Sequence, residues 1–262
     1  AAPMLHHALA TAHSLDPSRI VVVTGHEGQA VAASATAYSE AVDCVVQDPQ
    51  LGTAHAVAQA APLLADVEGE AVVLYADTPL IREETLRKML DARSRHAVVI
   101  LGFHAKDPGR YGRLLIKDSN LLAIREFDVA TEAERAITLC NSGVVCAETS
   151  LLLSLVAEVK DDNPKEEFYL TDIVEIARAR GLSAGVVLRD ESETLGVNTR
   201  AQLAEAETAF QTRARVEALE NGVTLTAPET VFFALDTYIG RDAIIGPNVL
   251  FGPGVTVESG AE

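Results

Sequence analysis

Six short runs rich in valine and isoleucine alternate with helix-like segments through the first 189 residues, and this alternation restricts the chain more than any other feature. The runs are "IVVVTG" (20–25), "CVVQ" (44–47), "AVVLYAD" (71–77), "AVVILGFHA" (97–105), "SGVVCA" (142–147) and "AGVVLR" (184–189). Strands that are apolar throughout, separated by helices, predict an α/β domain: a mostly parallel, Rossmann-like sheet with helices on both faces. "RLLIKDSNLLAIRE" (113–126) reads instead as a hairpin turning at Asp118, Ser119 and Asn120, residues that tolerate tight-turn geometry. With 262 residues, 48% of them hydrophobic, the chain can bury one full domain core with material left over.

That remainder changes period. From Thr199 to about Glu220, Leu203, Ala206, Phe210 and Leu219 recur at roughly helical spacing, and "NG" at 221–222 suits a C-terminal cap. Beyond this linker helix, "IGRDAI-IGPNVL-FGPGVT-VESGAE" (239–262) places Ile239, Ile245, Phe251 and Val257 six residues apart. A hexapeptide period favours the start of a β-helix, whose triangular coil turns one apolar side chain inward per face, over a chance hairpin. The expected division is therefore 1–198, an α/β domain; 199–222, a linker helix; and 223–262, the first β-helix coils. Coils so few need further coils or other subunits to cover their open end.

A net charge of −17 opposes binding to nucleic acid and to anionic membranes, so an anionic substrate would need a metal ion or local donors. No apolar run reaches the roughly 18 residues of a membrane span, and no signal-peptide order opens the chain, so the cytoplasm is the expected compartment. Cys44, Cys140 and Cys146 are odd in number and lack C-x-x-C spacing, which predicts buried, reduced thiols rather than a disulfide framework or a zinc site.

The candidate chemistry lies where runs of strand end. In open α/β sheets ligands bind beyond the carboxyl ends of the strands, and "VVLYADTPL" (72–80) carries Asp77 there. Alone, this acid suits a turn or a cap for "IREETLRKML" as well as it suits a divalent cation. "QDPQLGTAHAVAQAA" (47–61) enters a helix at Gly52 and Thr53: the glycine lets backbone approach a ligand, and the threonine can cap the helix. Gln47 offers a donor and an acceptor that fit a pyrimidine edge, and His55 reads as a packed helix residue. Asn198 in "GVNTRAQL" is placed to be the N-cap of the long helix, with an amide oxygen that could complete a magnesium site.

In combination, "QLGTAHA", "YADTPLI", "GRYGRL", "NSGVV", "EEFYLTDIV", "GVNTRAQLAEAE" and the hexads occur in an order that resembles the bacterial bifunctional N-acetylglucosamine-1-phosphate uridyltransferase and glucosamine-1-phosphate N-acetyltransferase family across essentially the whole chain. The resemblance implies that Gln47, Gly52 and Thr53 surround the uracil. It places Tyr75, Ala76 and Asp77 at the nucleotide, Mg²⁺ on Asp77 and Asn198, and the N-acetylglucosamine on Gly112, Glu126 and Asn141. Implied partners are UTP, N-acetylglucosamine 1-phosphate and UDP-N-acetylglucosamine, with three subunits packed through a left-handed β-helix in the complete protein. A nucleotidyltransferase for another sugar phosphate, or a non-catalytic oligomerising scaffold, are the alternatives.

Three departures bear on this. The family opens with a strand and a glycine-rich loop carrying a catalytic arginine and lysine, whereas this chain starts at "AAPMLHHAL". The expectation is that the chain as given has little uridyltransferase activity, no acetyl transfer, and at most weak trimerisation. The family's Y-G-D is here Tyr75-Ala76-Asp77, which adds a methyl group beside the nucleotide. Two residues after Glu126 the family usually has lysine where this chain has Asp128, which alters the charge balance near the sugar.

Overall fold

The computed structural model describes residues 2–262. The first part of the chain contains α1 (Met4–His13), β1 (Ile20–Thr24), α2 (Gly28–Tyr38), β2 (Val42–Val46), α3 (Thr53–Gln59), α4 (Ala61–Leu64), β3 (Glu70–Val73), α5 (Glu83–Ala92) and β4 (Val98–His104). Then follow β5 (Arg113–Lys117), β6 (Asn120–Arg125), α6 (Glu132–Arg135), β7 (Leu139–Glu148), α7 (Thr149–Val156), α8 (Ile173–Ala179) and β8 (Ala184–Arg189). The long helix α9 (Arg200–Glu220) leads to four two-residue strands, β9 (Thr224–Leu225), β10 (Tyr238–Ile239), β11 (Ile244–Ile245) and β12 (Thr256–Val257). No helix among the described residues is long and apolar enough to cross a membrane.

Strand β4 shows why helices cover both faces of the sheet. Successive side chains on a strand point to opposite sides. Val98 and Ile100 join Val145 and Ala147 against Leu152 and Leu155 of α7 and Ile173 and Val174 of α8. Their neighbours Val99 and Leu101 pack on the other side with Val144 and Cys146 against Leu86 and Met89 of α5. Removing both faces from water is what an apolar run without alternation demands.

The sheet is mixed rather than mostly parallel. Its order is β6-β5-β7-β4-β8, with β3 also on β7; β4 and β8 are parallel, while β7 runs antiparallel to β3, β4 and β5. The tight turn at Asp118 and Ser119, both with positive φ, reverses the chain between β5 and β6. Strand β7 keeps that reversed direction and enters between β3 and β4. Strands β1 and β2 form a separate parallel pair, divided from the main sheet by an apolar cavity of about 500 Å³ lined by Val21, Val23, Val72 and Leu74. Thr53, Tyr75 and Ala76 also line this cavity.

Two expectations about single residues change. Cys140 and Cys146 are buried free thiols as read from sequence, but Cys44 is exposed, because the face of β2 that buries Val42 is left uncovered at Cys44 and Val46. On α9 the buried face contains Ala206 and Gln211, with Phe210, Ala214 and Ala218 packed on the C-terminal core, whereas Leu203 and Leu219 are 46% and 45% exposed. The "NG" reading of its end holds: Asn221 is the C-cap, and Gly222 with φ of 88° lets the Val223 N–H reach the Ala218 carbonyl at 3.0 Å.

After α9, Ile239, Ile245, Phe251 and Val257 gather in one cluster with Val223, Leu225, Val231 and Phe233. The short strands pair in parallel, Tyr238 with Thr256 and Ile239 with Val257, and Phe232 bridges Leu250; each pairing joins residues 18 apart, or three hexads. The β9 to β11 pairing, Thr224 with Ile244, is two residues longer.

Candidate active site

Asp77 is not delivered by its strand directly. Strand β3 ends at Val73, because its ladder partner β7 leaves regular extension at Gly143, whose φ is 94°. The chain then turns: the Thr78 N–H and hydroxyl both donate to the Tyr75 carbonyl, at 3.2 and 3.1 Å. This turn carries Asp77, and the Val197 N–H donates to its carbonyl at 2.8 Å, so the residue before Asn198 is tied to it by backbone. Burial raises the Asp77 carboxyl above its ordinary value. No salt bridge joins it to a cation among the described residues.

A half-buried carboxylate without a cationic partner, and an asparagine amide on the residue after the Val197 that bonds its backbone, are hard-oxygen donors of the kind that Mg²⁺ takes together with phosphate and water oxygens. No group of three or more His, Cys, Asp or Glu able to hold a metal alone occurs among the described residues, so the ion would need oxygens from its substrate.

Asn198 is not the helix cap. Thr199 is: its hydroxyl accepts from the Gln202 N–H at 3.2 Å, and the Gln202 side chain accepts from the N–H groups of Thr199 and Asn198 at 3.0 and 2.8 Å. A threonine followed three residues later by glutamine closes this reciprocal box, which leaves the Asn198 side chain free for other work. Thr199→Ala is therefore expected to cost about 1 kcal/mol, a fall in Tm of about 2–4 °C. Asn198→Ala should shift stability by less than about 0.5 kcal/mol, and thermal melts of the two variants distinguish them.

Gln47, Gly52, Thr53 and Tyr75, which the resemblance places at the nucleotide, come together around α3. Gly52, at φ 108°, lies against the backbone of Phe168, whose N–H donates to the Leu51 carbonyl at 2.8 Å and whose carbonyl accepts from the Ala54 N–H at 2.9 Å. The Gln47 amide nitrogen bonds the Gly52 carbonyl at 2.8 Å and meets His55 Nδ1 at 3.0 Å, closing the loop between β2 and α3. His55 packs between Gln47, Gln59 and Phe168, as a helix residue should. The Thr53 hydroxyl accepts from the Leu170 N–H at 2.9 Å and lies beside the Tyr75 phenol, which burial pushes up to about 12. Ala76 is exposed on the turn, so its added methyl group costs the fold nothing.

On the other side, Gly112, Glu126 and Asn141 meet. A Cβ at Gly112 would lie 3.5 Å from Glu126 Oε1 and 3.6 Å from the Asn141 Cβ, and the Asn141 N–H donates to the Gly112 carbonyl at 2.8 Å. The Asn141 side chain accepts from the Gly143 N–H at 3.0 Å, and Gly143 in turn supports the Tyr75 ring. Burial raises the Glu126 carboxyl, an effect opposed by the Thr171 hydroxyl, which donates to it at 3.0 Å. Contacts thus run without a gap from Thr53 through Tyr75, Gly143, Asn141, Gly112, Glu126 and Thr171 back to Leu170 and Thr53.

Asp128 does not leave the charge unbalanced. Lys165 at 3.2 Å and Arg110 at 2.5 Å pair with it and hold its carboxyl below the usual range. The lysine expected at position 128 is matched by one from the 160–169 segment. Burial and the neighbouring Glu175 and Glu126 push Asp172 up to about 6.

Residues that sequence reasoning did not assign also belong to this circuit: Phe168 against Gly52, Thr171 on Glu126, and Tyr111, whose hydroxyl lies beside the Gly196 backbone. The only signal for them was their place inside "EEFYLTDIV" and "GRYGRL", since side-chain pairing across 40 to 120 residues has no local signature.

The chain is 70% identical over 262 residues to the "Bifunctional protein GlmU" of Cereibacter sphaeroides strain ATCC 17023, covering 100% of this chain and 58% of that protein. It is 69% identical to the protein of the same description from strain ATCC 17025, with the same coverage. The chain thus spans little more than half the length of these relatives. A solved UDP-glucose pyrophosphorylase in complex with UDP-glucose shares the fold at a TM-score of 0.60 and 15% identity, covering 80% of this chain and 87% of that one. Residues 1–159 match the model of the MobA-like NTP transferase domain, and by that match, over more than half its length, the chain belongs to the MobA-like NTP transferase family.

Proposed function

We propose that the site catalyses uridylyl transfer from UTP to N-acetylglucosamine 1-phosphate, giving UDP-N-acetylglucosamine and pyrophosphate. The observation that carries this reading is the unbroken circuit of contacts, which joins the Thr53 and Tyr75 side to the Gly112, Glu126 and Asn141 side, with Asp77 two residues on from Tyr75. Similarity to the two bifunctional relatives supports it.

In this reading an oxygen of the sugar phosphate forms a bond to the α-phosphorus of UTP as the bond to the β-phosphate breaks. A phosphate monoester with a second pKa near 6 is mostly dianionic at neutral pH, so no general base is needed. What the chain supplies is position: Gly52 admits backbone to the nucleotide, Gln47 and Thr53 hold the uracil, and Tyr75 with Ala76 flanks the phosphates. Gly112, Glu126 and Asn141 hold the N-acetyl sugar. Asp77 and Asn198 would hold Mg²⁺, which when bound offsets the repulsion between the two anions.

The proposed divisions are 1–198 for this activity, 199–222 for the linker and 223–262 for the start of a left-handed β-helix. The 18-residue parallel pairings and the shared apolar cluster support the last. The longer protein would add acetyl transfer from acetyl-CoA to glucosamine 1-phosphate and assemble as a cytoplasmic homotrimer.

Pyrophosphate release by the whole natural protein tests the reading. N-acetylglucosamine 1-phosphate should exceed glucose 1-phosphate by about 10²-fold in kcat/KM, because a site that hydrogen-bonds the acetamido group rejects a sugar lacking it. Preference for another sugar phosphate reassigns the substrate. No release with any of them leaves the scaffold alternative.

A further inference from the structure

Arg113 is 2% exposed and yet forms no salt bridge with any carboxylate among the described residues. Its guanidinium donates to main-chain carbonyls instead. Nη1 reaches Pro108 at 3.3 Å and also Tyr111; Nη2 reaches Gly109 at 3.0 Å and Arg135 at 3.2 Å; Nε reaches Arg135 at 3.4 Å. A buried cation without a counter-ion is tolerated only where its donors are all met, and four carbonyls converging on one planar fork achieve that. Lysine, with three donors on a single atom, cannot reproduce the arrangement.

The positions of those carbonyls matter. Three belong to the loop that enters Gly112, and the fourth closes α6 beyond Glu126. The Arg135 guanidinium lies 4.5 Å from the centroid of the Phe127 ring and that of Arg110 4.9 Å, so the residue next to Glu126 is fastened to the same cluster. On the sheet, Arg113 pairs with Arg125 and with Cys140, the neighbours of Glu126 and Asn141. The side chain therefore ties the loop before Gly112 to the end of α6, and the backbone of the same residue pairs beside Glu126 and Asn141.

We propose that Arg113 is a positioning residue for the sugar half of the site: it sets the spacing between the Gly112 loop and the Glu126 segment that an N-acetylhexosamine requires. This rests on the reading of Gly112, Glu126 and Asn141 as the sugar contacts.

Calorimetric titration of the whole protein with UDP and, separately, with UDP-N-acetylglucosamine, both with Mg²⁺, tests it, because the difference between the two ligands isolates the sugar. Arg113→Lys should weaken UDP-N-acetylglucosamine about tenfold and leave UDP within about twofold, since misplacement by under an ångström is costly only at the misplaced contacts. Arg113→Met should weaken it further. If Arg113→Met fails to fold, Arg113→Lys alone decides. Unchanged affinity for both ligands, or equal weakening of both, overturns the inference while the sugar reading stands. A wild type that binds UDP-N-acetylglucosamine no more tightly than UDP overturns the sugar reading itself, and the inference with it.

Discussion

In the whole protein, replacing Asp77 with asparagine is expected to lower the proposed uridylyl transfer by about 10²- to 10³-fold, the range seen when one group that stabilises transition-state charge is lost. The fold should survive the change, and the sign follows from the direction of the carboxyl's shift. Burial raises its pKa in the folded protein, so the stability this group contributes is present at low pH, below its unfolded value, and is lost as pH rises through the raised folded value. At neutral pH the wild type carries a charge that burial disfavours. Asparagine removes that cost, so Asp77→Asn should melt at or above the wild-type temperature at pH 7, and the difference should disappear below about pH 4, where the unfolded chain is also protonated. The same shift makes Mg²⁺ affinity fall as pH drops, because only the carboxylate binds the ion well. Initial rates against Mg²⁺ concentration at several pH values, with melts of the same samples, separate the two effects. Full turnover with an unchanged magnesium requirement would assign Asp77 to the turn alone.

Gly52→Ala should do the opposite, damaging fold and binding together. At φ 108° and ψ 177° the backbone at this position is one that only glycine adopts freely. An added Cβ would lie 2.6 Å from the Phe168 carbonyl oxygen and 2.8 Å from its nitrogen, and both atoms are fixed by hydrogen bonds to Leu51 and Ala54. Backbone strain of about 1–3 kcal/mol and overpacking of similar size combine to an expected loss of about 3 kcal/mol. For a chain of this length that is a fall in Tm of about 6–12 °C. UTP affinity should fall at least about tenfold, because Gly52 directly precedes Thr53, which the proposed site puts at the uracil. A melting temperature within about 2 °C of wild type would show that the loop relaxes and that the approach to Phe168 is not tight.

Much was legible from residue order alone because its causes are local or periodic. An apolar run such as "AVVILGFHA" has no polar face to show water, so β4 had to be covered on both sides. Asp118 and Ser119 accept the positive φ of a tight turn, so the hairpin was legible, although Asn120, read as part of the turn, is the first residue of β6. The hexads put Ile239, Ile245, Phe251 and Val257 in one cluster, because a six-residue period turns one apolar side chain inward from each successive face. The rule that ligands bind beyond strand ends also made Asp77 a candidate.

Only the tertiary structure decided what depends on partners far away in sequence. Whether Asp77 left its strand directly or on a turn depended on Gly143 breaking the β7 ladder, and neither strand announces the other. The helix cap fell to Thr199 rather than Asn198 because the capping box needs Gln202 three residues on, and that count starts at Thr199. Asp128 found its cation in Lys165, and Arg113 found four carbonyls in place of a carboxylate. The capping box is local and was legible in the sequence; the other three share one physical reason. Periodicity reports which face of an element is buried, but hydrogen-bond and charge partners are set by which loops the sheet order brings side by side, and that order is a property of the whole fold.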